Sequence, residues 1–259
     1  MSTARPSEFR QRFLKRELLL GSFIKTPTTH SIEILGGMGF DFVVIDEEHA
    51  PFDRVTIDNG LLAARAVGTA GIVRVAEPTP AKLLAVLDDG AAGVLVPHVS
   101  SVEKAKAIVS ACRYRGGSRG FSNSPRAGGY GTLGMWQHVE AQDKSVTVIA
   151  MIEDPEALYV IDEIVAIDGL DGFFVGRGDL SVAMGAQSQG APEIQSATEK
   201  IAKAAAAAGK PVCVMVGSIA ETPPFRTMGV TSFIVASDQG LMRQAAGKAL
   251  ADFREMAAG

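Results

Sequence analysis

Cysteine is scarce in this chain and its two copies are unpartnered. Cys112 and Cys213 lie about a hundred residues apart, with no CxxC motif. That spacing excludes a disulfide framework and a thiolate metal knot; two free thiols in a reducing compartment are the expectation. Tryptophan occurs once and tyrosine three times in 259 residues, and Lys and Arg (25) do not outnumber Asp and Glu (29). Without a basic stripe interleaved with aromatics, no nucleic-acid partner is expected. No apolar run is long enough to cross a bilayer, and residues 1–16 lack the apolar centre of a secretory signal. A soluble, cytoplasmic protein with no membrane partner follows as the expectation. Linkers, internal repeats and low-complexity segments are also lacking.

What the chain does have is rhythm. Short apolar runs at 18–24, 42–45, 72–75, 93–96, 147–152, 172–175, 212–216 and 232–236 read as strands. Segments with helical spacing separate them, at 55–66, 80–87, 102–112, 155–164, 191–208 and 241–256. A further helix around Ile32, Ile34 and Leu35 is expected to be capped by Thr29 or Ser31 and to stop at Gly36. Phe9, Phe13 and Leu14 mark a short leading helix over 7–15. No strand shows polar alternation, which argues for a parallel sheet buried on both faces. Eight strand–helix units in one domain, 1–259, point to an α/β fold of the (β/α)8 TIM-barrel type. A doubly wound open sheet is the alternative; no GxGxxG follows the first strand to support it. Residues 113–143, rich in Gly, Arg and Ser, break the rhythm as a long loop suited to a lid or to subunit contacts.

In such a barrel the chemistry gathers where strands end. Glu153 closes the fifth strand, and Asp179 follows the sixth in the turn Gly176-Arg-Gly-Asp179. His49 follows the second strand, Arg74 lies in the third, and Asp88 precedes the fourth. A histidine after a strand is often only structural, and Arg74 needs a buried anion that a structural carboxylate would equally supply. Taken together, two acids, a histidine and an arginine make a metal-plus-base arrangement. Carboxylates without His or Cys ligands favour a hard divalent cation, Mg²⁺ or Mn²⁺, with Co²⁺ a third candidate. Such an ion would bind a 2-oxo acid, His49 would move a proton, and Arg74 would steady the oxygen that gains charge. No lysine meets the glycine-flanked setting sought for a Schiff base.

Several segments now resemble a known family. They are Gly39-Phe-Asp-Phe-Val-Val-Ile-Asp-Glu-Glu-His-Ala-Pro51, Val73-Arg-Val75, Leu87-Asp-Asp-Gly-Ala91, Val94-Leu-Val-Pro97, Met151-Ile-Glu153 and Val175-Gly-Arg-Gly-Asp-Leu-Ser181. In order and spacing they are similar to the metal-dependent (class II) pyruvate aldolases of the HpcH/HpaI aldolase/citrate lyase group, of the 4-hydroxy-2-oxo-heptane-1,7-dioate aldolase kind. The resemblance implies a metal on Glu153 and Asp179, with a pyruvate carboxylate on the amides of Gly178 and Asp179. It implies proton transfer by His49 supported by Asp88, and Arg74 at the enolate. It also implies a homo-oligomer, a hexamer, exchanging a C-terminal helix between subunits.

The chain departs from the family pattern at Glu47 (usually Gly), Met151 (usually Gln), Phe23 (usually Trp) and His98 (usually apolar). These leave the pyruvate and metal sites intact and put the acceptor aldehyde in question. Arg119, Arg126, Tyr130 and Trp136 are candidates either for that acceptor or for a subunit interface. Two other readings stand beside the aldolase: a CoA-thioester lyase of the malyl or citryl type, and a non-catalytic barrel acting as scaffold.

Overall fold

The computed structural model describes residues 8–258. Ser7, the first residue of the expected leading helix, lies outside them. A helix α1 (Phe9–Leu14) leads into strands β1 (Leu19–Ile24), β2 (Phe42–Asp46), β3 (Ala70–Arg74) and β4 (Gly93–Val96). Between them run α2 (Thr29–Gly37), α3 (Arg54–Val67) and α4 (Pro80–Asp88), and α5 (Val102–Cys112) and α6 (Met135–Ser145) follow. The second half alternates β5 (Thr147–Ile152), α7 (Ile161–Val165), β6 (Gly172–Val175), α8 (Arg177–Ala183) and α9 (Pro192–Ala207). It ends with β7 (Val212–Val216), α10 (Thr222–Thr227), β8 (Ser232–Ser237) and α11 (Asp238–Ala258). The strands pair in parallel and in chain order, and β8 closes on β1. The open-sheet alternative is thereby set aside.

Both strand faces are apolar because both are covered. In β2, Phe42 and Val44 point into the barrel with Ile72, Leu95, Ile149 and Phe174. Val43 and Ile45 point outward against Ile57 and Leu61 of α3. Alternation is present but both sets are hydrophobic, so it leaves no polar period.

Several local expectations are corrected. The cap of α2 is Thr28, whose hydroxyl accepts the His30 N–H, one position before the sites expected. The segment 113–143 is not all loop, since α6 occupies its end. Residues 155–164 split into a 3₁₀ turn over Pro155–Tyr159 and the short α7. The turn at Gly176 is the start of a helix, α8, with Gly176 at its N-cap.

The leading helix closes the barrel's base. Phe9 and Phe13 are buried, Phe9 packs 5.3 Å from the Phe42 ring, and Leu14 stays outside. Asp171, just before β6, latches this plug: its Oδ1 accepts from Arg10 Nε (3.0 Å) and Nη2 (2.8 Å). Its Oδ2 accepts from Arg113 Nη2 (2.9 Å) and the Val148 N–H (2.8 Å). Removing one partner of a buried ion pair strands the others. Asp171→Ala is therefore expected to cost about 3–5 kcal/mol of stability by urea unfolding; a change under about 1 kcal/mol would mean the latch is solvated.

Candidate active site

Polar side chains collect at the opposite end, where strands terminate. Asp46, the last residue of β2, is fully buried yet charged. Arg74, the last residue of β3, meets it as a fork, Nε on Oδ1 at 2.8 Å and Nη2 on Oδ2 at 2.7 Å. Lys25 Nζ adds an ion pair to Oδ2 at 3.0 Å, and the His49 N–H donates to Oδ1 at 3.2 Å. Burial alone would push the Asp46 carboxyl up, but the Arg74 fork, then Lys25 and the His49 amide, hold it below its ordinary value. A structural carboxylate thus meets Arg74, and its remaining Nη1 stands 3.1 Å from Glu48 Oε2. Its Cζ lies 4.9 Å from the Phe23 ring, on the residue standing where the family usually has tryptophan.

Glu153 stands across from this pair and is almost fully buried. Its Oε1 accepts from the His98 N–H at 2.7 Å, and the His98 Nδ1 stands 3.5 Å from the same oxygen. Burial raises its carboxyl to about 7; the His98 amide and ring oppose that rise, while the charges of Asp179 and Glu48 add to it. Asp179 sits in the first turn of α8, beside Glu153 because β5 and β6 are neighbours. Gly176 permits that approach: a Cβ there would stand 2.6 Å from Glu153 Cβ and 2.9 Å from its Oε2. The Leu180 N–H bonds the Gly176 carbonyl, so α8 begins regularly and its first-turn amides, including Gly178 and Asp179, lack intrahelical acceptors.

Phe23, Lys25, Arg74, Gly178, Asp179 and Met215 line a cavity of about 140 Å³ between these walls. Among the described residues no cluster of three or more His, Cys, Asp or Glu side chains forms a closed metal cage. Two carboxylates, one of them driven toward protonation by burial and like charge, fit a hard divalent cation completed by water and substrate oxygens.

The other expected residues divide. His49 is half-exposed at the rim, with Nε2 3.8 Å from Glu48 Oε2. Asp88 ends α4, at the base end of the barrel, with its Oδ1 3.1 Å from Arg119 Nη2. Within one chain it does not support His49, because α4 runs back from the β3 exit. Arg119 stays there with it, and Arg126 pairs with Asp58 at 2.6 Å, while Tyr130 and Trp136 are exposed. His98 enters the site instead. Its backbone has φ of 54°, its Nδ1 lies 3.1 Å from Asp154 Oδ1, and its Nε2 is 3.8 Å from Glu48 Oε1. Asp46, Glu48 and Lys25 were not singled out from sequence. Asp46 carries the signal used for Glu153, a carboxylate closing an apolar run.

The unfolded chain ionises residue 153 near 4.5, whereas the folded metal-free protein keeps its proton to about 7. In that window the folded state binds more protons, so its stability falls as pH rises. Glu153→Gln removes this slope. The stability gained by the metal-free variant over the parent, by urea unfolding, is expected to grow between pH 4.5 and 7; parallel curves would mean an ordinary carboxyl.

Known proteins share this framework. A family model described as HpcH/HpaI aldolase/citrate lyase matches residues 19–245. The chain is 34% identical over 252 residues to the 5-keto-4-deoxy-D-glucarate aldolase of Enterobacter sp. (strain 638), covering 96% of this chain and 98% of that one. A HpcH/HpaI aldolase/citrate lyase family protein from Burkholderia cenocepacia J2315 superposes with a TM-score of 0.90 at 26% identity, over 96% and 99% of the two chains. The citrate synthase SbnG does so with a TM-score of 0.87 at 29% identity, over 96% and 98%. With its barrel closed and its polar groups gathered at the strand exits, this chain belongs to the HpcH/HpaI aldolase/citrate lyase family.

Proposed function

We propose that this protein is a class II aldolase that reversibly adds pyruvate, or a related 2-oxo acid, to an aldehyde, giving a 4-hydroxy-2-oxo acid. The observation that carries the reading is one small cavity lined by both Asp179 and the forked Arg74, with the buried, proton-retaining Glu153 close enough to Asp179 to feel its charge. Glu153 and Asp179 hold a divalent cation, Mg²⁺ or Mn²⁺ in kind. The chemistry such an ion supplies when bound is polarisation of the oxo group and acidification of the adjacent C–H.

The chain's own groups do the rest. The amides of Gly178 and Asp179 take the substrate carboxylate at the start of α8. Arg74, fixed by Asp46, donates toward the oxygen that gains negative charge, and costs no reorganisation because its fork is already set. His49, whose backbone is tied to Asp46, carries the proton at the rim. Met215 and Phe174 keep the inner wall apolar, which strengthens each of these interactions. The assembly is a homo-oligomer, hexameric by resemblance; the exposed Met242, Leu250, Phe253 and Met256 of α11 support packing against another copy.

Proton exchange tests the reading without an acceptor aldehyde. In D₂O the methyl protons of pyruvate should exchange with Mg²⁺ or Mn²⁺ present and cease to exchange with EDTA or in Glu153→Ala. Exchange that survives both would end the metal role, and inactivation by borohydride with pyruvate would point to a lysine imine instead. Arg74→Ala should lower turnover at least about 100-fold, the size of a lost oxyanion donor. Calorimetric metal affinity should stay within about twofold, because Arg74 lies on the wall away from the carboxylates; loss of metal binding would place it wrongly.

A further inference from the structure

A second, larger cavity lies at the base of the barrel, away from the mouth. Its volume is about 430 Å³, inside the range of about 300–1,000 Å³ typical of small-molecule sites. Gly71 at the start of β3 and Ala92 just before β4 border it, and Arg65, Arg126, Gln142 and Ser145 supply its polar side chains. Among the described residues no carboxylate lines it. Two guanidiniums and no acid make a cavity that selects for an anion.

Arg126 carries the argument. Its side chain is only 10% exposed, and its ion pair is with Asp58, 2.6 Å from Nη2. Its Nε and Nη1 are buried without a hydrogen-bond partner. Leaving donors of a buried cation unmet costs free energy, which an incoming acceptor would relieve. The stem is fixed in place along Gly90, where an added Cβ would stand 3.1 Å from Arg126 Cδ. The acids of the neighbouring turns are already engaged: Asp58 by Arg126, Asp88 by Arg119 and Asp89 by Arg54. Gln142 accepts from Arg119 Nη1 on its Oε1 at 3.3 Å, which leaves its amide N–H groups as donors. Arg65 also suits the dipole at the last turn of α3, so its presence alone would say little.

We propose that this cavity is a second ligand site, for a phosphate monoester whose phosphate group is held by Arg126 and Arg65. A phosphate dianion presents several acceptor oxygens and matches the fork of a guanidinium, so one group serves both arginines. In taking it, Arg126 keeps Nη2 on Asp58 and gives its unpartnered donors to the anion. The cavity exceeds what one phosphate fills, and Gln142 and Ser145 on its border suit a hydroxylated carbon chain. The site lies at the other end of the barrel from Glu153 and Asp179 and does not rest on the aldolase reading.

Glycerol 3-phosphate is the probe, with glycerol and inorganic phosphate as controls, titrated calorimetrically into the Mg²⁺-loaded full chain. One glycerol 3-phosphate is expected per chain, bound at least about tenfold more tightly than inorganic phosphate, with no binding of glycerol. Arg126→Met and Arg65→Met should each weaken it at least about tenfold, whereas Arg74→Ala at the mouth and removal of the metal should leave it within about twofold. The probe should also raise the unfolding temperature of the parent and not that of Arg126→Met. Arg65 is exposed, so Arg65→Met keeps the test open should Arg126→Met fail to fold. Binding that depends on Arg74 or on the metal overturns the proposal, because the phosphate would then sit at the mouth. Inorganic phosphate bound as tightly as the ester means an adventitious ion only and overturns it too. So does binding that the base variants do not weaken, or no binding at all.

Discussion

The fork between Arg74 and Asp46 is the constraint on which the mouth of this barrel depends. Two adjacent parallel strands end in opposite charges, and register sets Asp46 directly beside Arg74. Both groups are buried, so neither is tolerable alone: breaking such a pair typically costs about 3–5 kcal/mol. The pair fixes more than itself. Through the same carboxylate it anchors Lys25 and the backbone of His49, and through Nη1 it reaches Glu48. Residues from β1, β2 and β3 are thereby locked into one wall before any ligand arrives.

Burial treats the two deep carboxylates of the site in opposite ways, and the difference is chemical. Asp46 has no solvent exposure and Glu153 has 2%. Desolvation therefore pushes both toward protonation with comparable force. Asp46 receives a bidentate guanidinium and stays charged, whereas Glu153 has only the His98 amide and ring against burial and two nearby negative charges. One carboxylate is finished as a structural anion. The other is left short of positive charge, which is the condition a divalent cation relieves.

Much of this was legible in the chain because the barrel writes its signals locally. Apolar runs stop where strands leave the core, and the residue at the stop is free to be polar. That logic singled out Glu153, Asp179 and His49 at strand exits, and the two acids lie on the neighbouring β5 and β6 exits. Asp88 lies at the end of α4, toward the base; sequence proximity to a strand does not say which end of that strand a residue joins. Asp46 and Glu48 lie in a run of acidic residues, and a run carries no local sign of which carboxylate turns inward. Lys25 was unreadable for another reason. Its placement depends on Asp238, more than two hundred residues away, and on a register shift that composition does not encode. His98 is similar: its left-handed backbone exists to give Glu153 an amide.

The two ends of the molecule divide stability from chemistry. At the base, Asp171 is saturated by two arginines and a backbone amide, although Arg119 Nε, Thr147 Oγ1 and Ser232 Oγ at the same end are buried without hydrogen-bond partners. At the mouth, Asp154 Oδ2 is buried without a hydrogen-bond partner, Glu48 Oε2 has only its 3.1 Å ion pair with Arg74, and the strained residues 98 and 236 both occur at strand exits. Unsatisfied groups and strained backbone cost free energy that a well-latched base can offset.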